Sequence, residues 1–185
     1  MHWFLVYEHW HGFFSLGVEY VLKNILGAEN VTVVSDYQTY TTGYGKRLYP
    51  HVKQLEYIAS LDVDYIVLAG PVLSKYFLLL WKDILKKLKD RGVGYILLSA
   101  GTMKLDSVSK QVLQSFFEEC PPYILSSRDT SVYDEFGKYA AHAYDGICFS
   151  FFVSDLYSPA KMTSFGQYFI CNFDKIGEPE IWRET

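Results

Sequence analysis

Much of what would announce a particular chemistry is missing from this chain. It has three cysteines, Cys120, Cys148 and Cys171, far apart and odd in number, with no CxxC pair or His/Cys cluster beside them. That spacing argues against a disulfide framework or a zinc site, and each cysteine is expected to be a small buried residue in a reducing compartment. No GxGxxG follows the first apolar run, and there is neither a P-loop nor a GxSxG elbow. Positive charge is in deficit, with 17 Lys and Arg against 21 Asp and Glu and a net charge of −4. A nucleic-acid binder usually carries a concentrated basic surface, so none is expected as a partner. The run "YFLLLW" (Tyr76 to Trp81) is far too short to span a bilayer. The first residues, "MHWFLVYEHW", lack the basic segment of a signal peptide. A soluble, cytoplasmic protein is the expectation.

What is present is apolar and aromatic. Half of the 185 residues are hydrophobic, only 21% are charged, and tyrosine and phenylalanine number 16 and 13. Such a chain can bury a full core as a single domain over residues 1–185. Apolar runs of strand length alternate with segments of helical period. "WFLVY" (Trp3 to Tyr7), "NVTVVS" (Asn30 to Ser35), "DYIVLAG" (Asp64 to Gly70), "VGYILLSAG" (Val93 to Gly101) and "YILSS" (Tyr123 to Ser127) read as strands. Helices are expected over Ser15 to Leu26, Ser74 to Gly92 with Ser74 as cap, and Asp106 to Cys120, where Pro121–Pro122 breaks the last. Continuous apolar strands between helices predict a doubly wound, mostly parallel sheet with helices on both faces, a Rossmann-like three-layer α/β fold.

In such a sheet ligands bind outside the carboxyl ends of the strands. The loops to weigh are therefore "EHWHGFFSLG", "AGPVLS", "AGTMKLD" and "SSRDTS". His9 and His11 share the spacing of a strand-borne metal pair, but no third ligand lies near, so a loop of donors around Glu8, His9 and His11 is favoured and no metal or cofactor is expected. His142 reads as a structural histidine, and Asp145 and Asp155 as turn caps around "GICFSFFVS". Arg128–Asp129 opens a helix-like segment. Asp129 is expected to cap it. Arg128 is expected either to pair with a neighbouring carboxylate or to face the cleft as a donor to an anion or a sugar hydroxyl.

The order of these motifs resembles the N-terminal half of the polysaccharide pyruvyl transferase family. "DYIVLAGPVLS", "LKDRGVGYILLSAGTM" and "YILSSRDTSVYDEFG" carry the likeness, the last with its arginine–aspartate pair most of all. The resemblance implies one of two Rossmann-like domains arranged as in a GT-B glycosyltransferase. It also implies transfer of a pyruvyl group from phosphoenolpyruvate to a sugar of a surface polysaccharide such as an exopolysaccharide. Substrate contacts would come from Glu8, His9, His11, Tyr44, Arg128 and Asp129, with Gly17, Gly70 and Gly101 at the turns. Where the family shows an asparagine–x–glycine–aspartate turn, this chain has Ser15-Leu16-Gly17-Val18 and keeps only the glycine. "GQYFICNFDKIGEP" resembles the strand opening the family's second domain, so residues 167–185 are expected to begin that domain or to form a C-terminal extension. In the family the arginine and histidine that handle phosphoenolpyruvate lie in the second domain, so the isolated chain is expected to be inactive. Two other readings stand beside this one. One is a non-catalytic module for a sugar or nucleotide, and the other a small interaction protein whose aromatic surface pairs two copies into a homodimer.

Overall fold

The computed structural model describes residues 2–7, 12–35, 56–74, 77–103 and 105–156. Eight strands run through these segments: β1 (His2–Tyr7), β2 (Asn30–Ser35), β3 (Tyr65–Ala69), β4 (Leu73–Ser74), β5 (Gly94–Ala100), β6 (Thr102–Met103), β7 (Ile124–Ser127) and β8 (His142–Asp145). Six form one sheet in the order β2-β1-β3-β5-β7-β8, while β4 and β6 make a separate pair. Every pairing is parallel. The order reverses once, at β1 and β3, which makes the sheet doubly wound. Strand β8 was not anticipated, because "HAYD" is short and polar and gains its place only by pairing with β7.

Alternation along the strands divides the core in two. Ile66, Leu68, Tyr95, Leu97 and Leu125 face the larger cluster, against helices α2 (Phe77–Asp90), α3 (Ser107–Glu119) and α4 (Thr130–Phe136). Val67, Ala69, Ile96 and Leu98 face a smaller cluster under helix α1 (Gly12–Tyr20). The sequence therefore reads as unbroken hydrophobicity where both faces are covered. Phe117 lies at the centre of the larger cluster, edge-on to Phe77 and Phe136, and burying such a ring contributes about 2 kcal/mol. Burial pushes the Tyr95 phenol well above its usual pKa, and its hydroxyl donates to the Cys120 carbonyl at 2.6 Å.

Helix ends follow local chemistry. Asp106 accepts from the Ser109 N–H at 2.7 Å and caps α3. α2 begins at Phe77, leaving Ser74 in β4 rather than at a helix cap. Its lysines face outward, and Lys86 pairs with Glu119 across to α3 at 2.6 Å. The first helix starts earlier than its spacing predicts and widens into a π-turn at Val21–Ile25, where the Leu26 N–H reaches the Val21 carbonyl.

After β8 the chain turns back across the sheet. A 3₁₀ turn (Phe149–Phe152) and a short helix α5 (Val153–Leu156) pack on α1, with Phe149 joining the smaller cluster and Phe152 stacked on Tyr20 at 6.2 Å. This strap is the third layer's second member. Among the described residues no helix is long and apolar enough to cross a membrane.

Candidate functional site

The carboxyl ends of β3, β5, β7 and β8 converge on one edge of the sheet. Gly70, at φ 88°, ends β3 and donates to the Leu98 carbonyl at 3.0 Å. A positive φ strains any residue with a Cβ, which suits glycine here. The chain then tightens, Val72 N–H reaching Gly70, and Leu73 N–H donates to the Gly101 carbonyl. The pairing of β4 with β6 follows directly. Thus the turns holding Gly70 and Gly101 are joined into a rim above the sheet.

β5 leaves the sheet irregularly. Its register with β7 shifts between Leu97 and Ala100, and buried Ser99 takes φ 54°. Its hydroxyl accepts from the Phe149 N–H at 3.2 Å, fixing the start of the strap. Next to this bulge the Arg128 N–H donates to the Ala100 carbonyl. A Cβ on Gly101 would lie 2.7 Å from Arg128 Nε and 2.9 Å from Asp129 Oδ2, so both side chains cross where Gly101 has none. Arg128 Nε and Asp129 Oδ2 are 3.8 Å apart.

Asp129 occupies the N-cap position of α4, as expected, but its carboxylate makes no capping bond. The local turn is held instead by Ser127, whose hydroxyl donates to the Asp129 carbonyl and accepts from its N–H. Asp145 fastens the same helix start by accepting from Thr130 Oγ1 at 3.1 Å. The Asp129 carboxylate is thereby left near Arg128, and half of it is exposed to solvent.

Cys148 joins this group. It is half-buried rather than buried, with Sγ 3.0 Å from Ser150 Oγ. Burial alone would raise its pKa, but the Ser150 hydroxyl and N–H, the Ser99 hydroxyl and the Arg128 guanidinium outweigh burial and pull the thiol below its ordinary value. Cys120 goes the other way, raised by burial. One buried cysteine and one half-exposed, donor-rich cysteine replace the uniform expectation for the two.

Of the expected site residues, Gly70, Gly101, Arg128 and Asp129 gather at this edge. Gly17, buried inside α1, borders the group from the other side of the strap: a Cβ there would come 1.8 Å from the Phe149 carbonyl oxygen and 3.2 Å from the Ser150 nitrogen. That contact gives Gly17 a packing role between α1 and the strap. Glu8, His9, His11 and Tyr44 lie outside the described residues. Ser99, Cys148 and Ser150 were missed. A serine inside an apolar strand gives no sign that it will turn left-handed, and "GICFS" reads simply as core. Among the described residues no group of three or more His, Cys, Asp or Glu is placed to hold a metal ion.

The assembled groups form a surface of mixed donors and acceptors. A guanidinium offers donors to an anion or to sugar hydroxyls, a carboxylate accepts from hydroxyls, and hydroxyl and thiol groups line the wall. No family model matches the chain, and neither does any curated protein or solved structure.

Proposed function

We propose that the chain is the acceptor-binding, Rossmann-like domain of a polysaccharide pyruvyl transferase-like enzyme of polysaccharide synthesis. Arg128 and Asp129 hold a sugar at the carboxyl edge, and a second domain supplies the phosphoenolpyruvate site. The observation that carries this reading is the crossing of Arg128 and Asp129 over bare Gly101. It sets a donor fork and an acceptor side by side at the carboxyl edge of the sheet, the edge on which open α/β sheets bind ligands, two strands from the reversal at β1 and β3. Gly70 and the rim formed by β4 and β6 make the adjoining wall.

The chemistry divides between the domains. Transfer requires a proton delivered to the methylene of the enol and cations that hold the departing phosphate. Two sugar hydroxyls add in turn to C2 of the protonated enol as its bond to the phosphate oxygen breaks. Of the two hydroxyl protons, one replaces that given to the methylene and the other leaves with the phosphate. The Arg128–Asp129 edge orients those hydroxyls, and the proton and phosphate steps belong to the second domain. A non-catalytic sugar- or nucleotide-binding module would use the same edge, and only the transfer step separates the two readings.

The test is a thermal-shift titration with phosphoenolpyruvate, nucleotides and a panel of sugars, repeated with Arg128→Ala. A ligand that binds only the folded chain raises its Tm. A saturable rise with a sugar, absent in the variant, is expected. A rise with phosphoenolpyruvate alone would contradict the division between domains, and no shift from a cooperatively melting protein would overturn the reading.

A further inference from the structure

A second concavity lies at the opposite, amino edge of the sheet, on the face that carries α1. Four neighbouring strands begin there: β3 and β5 start level, Tyr65 pairing with Gly94, and β7 and β8 start two residues further along, Ile124 pairing with Ile96 and with His142. A Cβ on Gly94 would stand 2.9 Å from Tyr65 Cε1, so the Tyr65 ring reaches across β5 only because that position is bare. It arrives 5.3 Å from the Tyr123 ring, tilted by 30°, and Tyr123 meets the His142 ring edge-on at 5.2 Å. The result is a row of rings across three strands.

Beside this row is a groove of about 500 Å³, lined by Asp62, Asp64, Tyr65, Arg91, Gly92 and Tyr123. Its volume falls within the range of small-molecule sites. Arg91 is a fixed wall of the groove, its guanidinium donating to the Ala59 and Leu61 carbonyls. Asp62 and Asp64 are exposed, and Tyr123 keeps 41% of its surface open.

We propose that this groove is a binding site for a neutral saccharide, distinct from the Arg128 edge. A pyranose has an apolar C–H face and a rim of hydroxyl donors. The tyrosine rings supply the apolar surface, and the Asp62 and Asp64 carboxylates accept from the hydroxyls. Charge selects against anions. Two carboxylates against the one fixed Arg91 guanidinium leave the groove net negative, which repels a phosphate and so disfavours a nucleotide.

Saturation-transfer NMR with glucose, galactose, mannose and N-acetylglucosamine tests this on the whole chain. At least one sugar is expected to give a saturable signal. Tyr123→Ala should weaken binding by about tenfold or more, the loss of a stacking ring and its hydroxyl. Asp62→Asn, at an exposed position that leaves the fold intact, should weaken it severalfold, and this variant decides the matter if Tyr123→Ala does not melt cooperatively. The part of the signal lost in Tyr123→Ala should persist in Arg128→Ala, whose own loss reports the carboxyl edge. No saturable signal from any of the four sugars overturns the proposal. So does a signal that survives Tyr123→Ala and Asp62→Asn but disappears in Arg128→Ala, because that pattern puts the sugar at the carboxyl edge alone. The expected pattern is one part of the signal lost in Tyr123→Ala and another in Arg128→Ala. A signal lost wholly in Tyr123→Ala and untouched by Arg128→Ala leaves the groove standing and removes the support for an acceptor site at Arg128, so the two readings fail separately.

Discussion

Arg128 and Asp129 can cross because Gly101 offers them room, and this makes the glycine a sensitive probe of the site. The atoms a methyl group would meet are the far ends of two side chains rather than backbone. Gly101 is buried, but the clash falls on side chains that can move, so Gly101→Ala should cost only about 1 kcal/mol. Yet it should displace the pair and abolish the Arg128-dependent ligand shift. Chemical melts and the ligand titration, run on the same variant, separate the two effects. Cys148 gives the second probe at this scale. Its folded pKa is depressed, so its thiolate persists to lower pH than a free thiol's, whose pKa is about 8.5. Any stability drawn from that shift is fully present above the unfolded pKa and is lost as pH falls through the folded one. Iodoacetamide labelling followed against pH should show Cys148 reacting at a midpoint below that of a free thiol. Arg128→Ala should raise the midpoint, and buried Cys120 should label only on unfolding. An unchanged midpoint in the variant would remove Arg128 from the thiol's environment. The arginine–aspartate pair was legible in the sequence because two adjacent charges stand out after an apolar strand. The thiol was not legible, because beside the local Ser150 its donors come from positions 99 and 128, which only the fold brings to it.

At the scale of elements, the contact between α1 and the strap depends on one missing side chain. A Cβ at Gly17 would overlap the backbone oxygen of Phe149, which cannot swing aside as a side-chain tip can. Gly17→Ala is thus expected to destabilise the protein by about 3 kcal/mol, at the upper end of the usual overpacking cost. Urea unfolding measures this, and a loss within 0.5 kcal/mol (the range of ordinary surface changes) would mean that the strap shifts freely. The elements themselves show what spacing can and cannot reveal. The capping bond to Asp106 came from the structure, but α3 was legible from Asp106 onward, since its apolar positions repeat within each turn. β4 and β6 were not, because their two-residue pairing depends on how the turns after β3 and β5 meet. Asp129 illustrates the intermediate case: its position at the helix start was legible, but its side-chain partner was not.

At the scale of the molecule, the described residues cover the two faces of the sheet unequally. Three helices and the ring cluster around Phe117 close one face, while α1 and the strap close part of the other. Regions with fewer buried apolar contacts open at lower free energy. Native-state hydrogen exchange should therefore release amides of Val18 to Leu22 through partial opening, with those of Ile96 to Leu98 exchanging only on global unfolding. Equal protection in the two groups would mean that the layers unfold as one unit. The same asymmetry leaves the aromatic row from Tyr65 to His142 on the less covered face, where the amino-edge groove forms.

The sequence by itself determined the class of this fold. Continuous apolar strands and helices of clear period leave a parallel, two-sided sheet as the way to bury both, and the strand ends mark where the loops must gather. The tertiary structure decided which residues meet. It placed Gly101 beneath Arg128, set Ser99 against the strap, drew Cys148 among donors and laid Tyr65 across Gly94. Such meetings depend on register and on crossings between distant segments, whereas local pattern carries information only over a turn or a strand.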